Sequence, residues 1–79
     1  MTTNRKKRTR DIEKTYPRKL FIAKLRRLAD CLEQGKRFRI QIADEKITVP
    51  LDAVVTIEHE REGRNEEIEF QLKWHNEPR

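Results

Sequence analysis

The chain has 79 residues, 34% apolar and 42% charged, with 19 Lys or Arg against 14 Asp or Glu and a formal net charge of +5. At that length a single domain is expected, and a roomy active-site cavity is excluded because nearly every apolar residue is needed for a core. One cysteine, Cys31, excludes an internal disulfide, and the lack of a long apolar run argues against a signal peptide or membrane span, so a cytoplasmic protein is expected.

The charge is unevenly distributed along the chain. Residues Met1 to Lys19 carry eight bases (Arg5, Lys6, Lys7, Arg8, Arg10, Lys14, Arg18 and Lys19) against Asp11 and Glu13. Up to Lys14 the only apolar residues are Met1 and Ile12, too few to offset the entropy of ordering, so residues 1–14 are expected to form a disordered basic arm. Docking of that arm requires an anionic surface.

At Tyr16-Pro17 the pattern changes. Proline suits the first helical position, with Thr15 or Tyr16 at the N-cap. Phe21, Leu25, Leu28 and Leu32 then recur at spacings of four, three and four residues, with Ile22 and Ala29 beside them, which predicts a helix with one apolar stripe. Gly35 supplies the left-handed conformation that ends it.

Beyond Gly35 the period becomes two. Phe38, Ile40 and Ile42 alternate with Arg37, Arg39 and Gln41 in a first strand. A polar turn at Ala43-Asp44-Glu45-Lys46 leads to Ile47, Val49 and Leu51 in a short second strand that Pro50 brings to an end. The third strand places Val55, Ile57 and His59 on the core side, and the fourth places Ile68, Phe70, Leu72 and Trp74 there. Glu62-Gly63-Arg64-Asn65 is read as a tight type II′ hairpin, with Ile57 opposite Phe70. The expected fold is α+β: one N-terminal α-helix packed on a four-stranded antiparallel β-meander (αββββ), strand order 1-2-3-4, behind the basic arm.

Three features taken together, Tyr16-Pro17-Arg18, the Leu28-Ala29-Asp30 run near the helix end, and the closing strand from Glu67 to Trp74, resemble the amphi-Trp domain family. The resemblance covers Tyr16 to Trp74, with the arm outside the pattern. It implies a small prokaryotic domain at 15–75 followed by a short tail at 76–79, and it transfers no catalytic residue.

Residue types suited to catalysis are scarce. His59 shares the parity of the core face, and Cys31 sits on the helix flank between Leu28 and Leu32, where a thiol is inert unless a cation lowers its pKa. One Cys and two His make no zinc site, and two glycines make no phosphate loop. The chain is therefore read as non-enzymatic, with no cofactor and no bound metal.

Two surfaces remain as candidates for binding. Arg5, Lys6, Lys7, Arg8, Arg10, Arg18, Lys19, Arg26 and Arg27 form a basic arm and helix face of the composition that neutralises phosphates. With the aromatics assigned to the core, contact with nucleic acid or another polyanion should be electrostatic and sequence-tolerant. The hairpin register also sets Glu58 opposite Glu69 and Glu60 opposite Glu67. Like charges so placed repel unless a cation such as Lys46, Arg61, Lys73 or the arm compensates. That acidic face, with Trp74 and the edge strand, is the candidate surface for a protein partner or a second copy. A non-catalytic binding protein for an anionic partner is the primary expectation, and a protein-interaction module or homodimer the alternative.

Overall fold

The computed structural model describes residues 9–76. One helix, α1 (Arg18–Gln34), is followed by β1 (Phe38–Ile42), β2 (Glu45–Val49), β3 (Val54–Glu62) and β4 (Asn65–Lys73). All strand pairing is antiparallel, so the α+β class and the αββββ order are as expected.

The start of α1 falls one residue later than its composition suggests. Pro17 is itself the N-cap, and its carbonyl accepts the first helical hydrogen bond from Phe21 N–H at 3.0 Å. No side chain caps the helix. Its other end is closed by Gly35 at φ 67°, with the Lys36 N–H donating to the Cys31 carbonyl at 2.9 Å and the Gly35 N–H to the Leu32 carbonyl at 3.2 Å. This is the hydrogen-bond pattern of a left-handed glycine cap.

The four strands do not join into one meander. β1 pairs only with β2 and β3 only with β4, giving two separate two-stranded sheets. Between the hairpins, Pro50 ends β2 without a backbone donor, and the Ala53 N–H turns back to the Pro50 carbonyl at 3.3 Å. The chain thus leaves the first sheet before β3 can pair with β2. The register of the longer hairpin is the expected one: Ile57 faces Phe70, Glu58 faces Glu69 and Glu60 faces Glu67.

Separation of the sheets changes what is buried. Among the described residues the buried apolar side chains are Phe38 and Val49, each 5% exposed and paired across β1–β2. The Arg27 guanidinium lies over the Phe38 ring at 4.6 Å and closes this small core from the helix side. α1 rests against β1 and makes no comparable contact with β3 or β4. Consequently the helix stripe is not covered as its periodicity suggests: Phe21, Ile22, Leu25 and Leu32 are exposed and Leu28 half-buried. The assignment of every aromatic to the core is corrected with it, since only Phe38 is buried. The radius of gyration, 15.2 Å, exceeds the roughly 12 Å of a close-packed chain of this length.

The described part of the arm, Thr9 to Lys14, is also less free than its composition implies. Thr9 to Lys14 have no regular secondary structure, yet Arg10 reaches the turn between β1 and β2. Its guanidinium donates to the Ile42 carbonyl at 3.0 Å and to Asp44 Oδ1 at 3.3 Å, and its Nε lies 3.1 Å from Glu45 Oε1. The anionic surface that docking requires is present on the same chain.

Candidate functional site

The two faces of the β3–β4 hairpin follow from strand alternation. One carries Val55, Ile57, His59 and Arg61 against Glu66, Ile68, Phe70 and Leu72; the other carries Thr56, Glu58 and Glu60 against Glu67, Glu69 and Gln71. Among the described residues neither face is covered by another element.

The first face is apolar at its centre. Ile57 and Phe70 form a directly opposed pair, 65% and 64% exposed, flanked by Val55 and Ile68 at 59% each. Towards α1 this face opens into a groove of about 280 Å³, walled by Leu28 and Leu32 on one side and by Val55, Ile57, Phe70 and Leu72 on the other. Leu28 also lines a second open groove, between α1 and β1, with Tyr16, Phe21, Leu25, Phe38 and Ile40. The two grooves therefore meet at Leu28 and make one apolar surface.

A polar cluster bounds the hairpin face at its far end. His59 Nε2 lies 2.9 Å from Glu66 Oε1, and the Arg61 guanidinium donates to the same oxygen at 3.3 Å. Hydrogen bonds from His59, and secondarily from Arg61, hold the Glu66 carboxyl below its usual range. His59 is exposed, not packed in a core, and is not among the residues lining the groove.

The acidic face is assembled as the alternation predicts, but it is compensated differently. The Gln71 amide nitrogen donates to Glu58 Oε1 at 2.8 Å and to Glu69 Oε1 at 2.9 Å, while its oxygen accepts from Thr56 Oγ1 at 2.8 Å. A neutral amide thus bridges the opposed pair, and Arg61 pairs instead with Glu66 on the other face. Glu67 has no such bridge. Its carboxyl is pushed above the usual range first by its hydrogen bond with Glu69 and then by that residue's charge, with smaller contributions from burial and from Glu60 and Glu13. Among the described residues no group of three or more acidic, His or Cys side chains is placed to hold a metal ion.

The expected basic surface is divided. Arg5, Lys6, Lys7 and Arg8 lie outside the described residues. Arg10 is engaged with Asp44 and Glu45, and Arg27 covers Phe38. Arg18, Lys19 and Arg26 are exposed on α1 and make no ion pair among the described residues. Trp74, half-buried just beyond β4, donates its indole N–H to Asn76 Oδ1 at 3.0 Å. Gln71 was not among the expected site residues, and Arg10 was expected to meet an anionic partner, not the turn of its own chain. The hairpin register already places Gln71 beside Glu58, whereas no local pattern links Arg10 to a turn more than thirty residues away.

Among the described residues no helix is long and apolar enough to cross a membrane. The family model described as the Amphi-Trp domain matches residues 4–79, a span that extends the resemblance at Tyr16 to Trp74 in both directions and takes in most of the basic arm. No curated protein and no solved structure matches the chain.

Proposed function

We infer that this chain, which belongs to the Amphi-Trp domain family, is a non-catalytic protein-association module working through the apolar face of β3–β4 and its groove against α1. The observation that carries this reading is the Ile57–Phe70 pair, roughly two-thirds exposed near the middle of the longest paired segment among the described residues. A contiguous apolar surface of this kind, rimmed by charge, is the ordinary signature of a protein interface. The charged rim of His59, Arg61 and Glu66 gives orientation, and the acidic back face keeps the hairpin soluble and opposes unregulated edge pairing.

The test is photo-crosslinking from a benzoylphenylalanine placed at position 70 or, as control, at position 58 on the opposite face. Protein adducts from position 70 and few from position 58 are expected. Absence of adducts at 70, or equal yields from both positions, overturns the reading.

A second reading is favoured by Arg18, Lys19 and Arg26, exposed on α1 and making no ion pair among the described residues. Contact with nucleic acid or another polyanion through these groups is electrostatic and tolerant of sequence. Retention on duplex DNA or single-stranded RNA that weakens steeply with salt supports it, and no binding at low salt removes it.

A further inference from the structure

We propose that the occupant of this apolar surface is a second copy of the same chain, in a two-fold dimer in which β3–β4 of each copy is covered by the other and lies against the other's α1. The proposal rests on the association reading above and names its partner.

Surface area is the first argument. The chain exposes 7744 Å², whereas a folded monomer of its 9.6 kDa mass exposes about 5,100 Å². Even if the eleven residues outside 9–76 are assigned the full exposure of an extended chain, an excess of about 1,200 Å² remains. A standard interface removes about 800 Å² from each partner, and obligate dimers remove more. The exposed, irregular segment Thr9–Lys14 accounts for much of this excess, and the apolar faces of α1 and β3–β4 account for the rest.

The second argument is what a single copy lacks. The two buried apolar side chains among the described residues are far too few for a domain of this length, and below about 70–80 residues a chain normally needs a further staple such as oligomerisation. The described residues offer no disulfide, and no cluster placed to hold a metal. Exposed apolar surface exists on both sides of the proposed contact, on the stripe of α1 and on the hairpin. Each half is what the other needs, so a reciprocal contact buries both twice under one two-fold axis.

Charge complementarity points the same way. α1 carries Arg18, Lys19, Lys24, Arg26 and Arg27 against Asp30 and Glu33, a net of +3. The β3–β4 segment carries six glutamates (58, 60, 62, 66, 67 and 69) against Arg61, Arg64 and Lys73, a net of −3. No ion pair joins these two elements within the chain among the described residues. Crossing them between copies sets each basic helix against an acidic hairpin, which steers encounter and disfavours parallel stacking of like elements.

The experiment is sedimentation velocity on the full chain across roughly 1 μM to 1 mM, with thermal unfolding over the same series. The expected species has twice the 9.6 kDa chain mass, and its unfolding midpoint rises with protein concentration because association and folding are linked. Ile57→Lys and, separately, Phe70→Glu should weaken self-association by about 100-fold or more. Asp52→Asn, exposed and outside both α1 and β3–β4, should leave it within a few-fold. A folded 9.6 kDa species with a concentration-independent midpoint overturns the proposal. So does a dimer indifferent to both substitutions, or an assembly larger than two. Crosslinks from position 70 that join only other proteins leave the association reading standing while removing the second copy, so the two failures are separable.

Discussion

Ala43 has φ of 57°, the one non-glycine residue at positive φ among those described. It is the first central residue of the two-residue turn between β1 and β2, as Gly63 at φ 63° is in the turn between β3 and β4. Positive φ at the first central position alone is the pattern of a type II′ turn, in which a Cβ is unfavourable. Ala43→Gly is therefore expected to raise stability by about 0.5–1 kcal/mol, read as a higher urea midpoint with unchanged slope. Glu67 offers a prediction in pH. Its folded-state pKa is raised, so the folded chain binds this proton more tightly than the unfolded chain does. The resulting penalty is full above the raised pKa and is relieved as pH falls through it. Glu66 has the opposite sign: its lowered pKa contributes stability at neutral pH that is lost only as pH falls through the folded value. Glu67→Gln keeps a hydrogen-bond donor towards Glu69 while removing the charge. Stability near neutral pH should increase, and the gain expected of the native chain as pH falls through the raised Glu67 value should flatten. An unaltered pH profile in denaturant titrations would contradict this assignment.

At the level of the element, the β3–β4 hairpin is where local pattern and structure agree most closely. Period-two alternation, the Gly63 turn and the opposed glutamates all emerge in the expected register because each depends on neighbours within about twenty residues. What alternation by itself leaves out is the chemistry that makes an acidic face tolerable. Gln71 meets Glu58 and Glu69 together, with Thr56 orienting its amide. Gln71→Leu should therefore cost about 1 kcal/mol, since two carboxylates lose a shared donor and face each other across the sheet. Added salt should recover part of that loss by screening the repulsion, which distinguishes it from lost packing. Equal losses at low and high salt, measured by urea unfolding, would rule this out. The helix shows the complementary case. Its period and its Gly35 cap are legible, but an apolar stripe says only that something must cover it, not which strands do so.

For the whole molecule, the decisive contacts are long in sequence and small in number. Arg10 ties the arm to the turn between β1 and β2 through one carbonyl and two carboxylates. Arg10→Ala should lower stability by about 1 kcal/mol at low salt and by less at high salt, and Arg10→Lys should restore only part, because an ammonium cannot reproduce the guanidinium fork. Equal stability of Arg10→Ala and the native chain would show that the clamp contributes nothing. A truncated chain used to examine polyanion binding should accordingly begin at Thr9, which keeps the clamp, and not at Thr15, which removes it. The sequence by itself determined the helix, its glycine cap, the four strands, the Gly63 turn, the register of the second hairpin and the family resemblance, while the first turn is shorter than read, Ala43-Asp44, with Glu45 and Lys46 already in β2. Each of these depends on backbone preferences and side-chain periods acting over short separations. Only the tertiary structure decided that the hairpins stay apart after Pro50, that Phe38 and Val49 are the buried pair, and that Arg10 and Arg27 serve the fold. Those outcomes turn on which distant surfaces meet, and an amphipathic stripe or strand carries the same pattern whether its apolar side is covered by its own chain or left open to a partner.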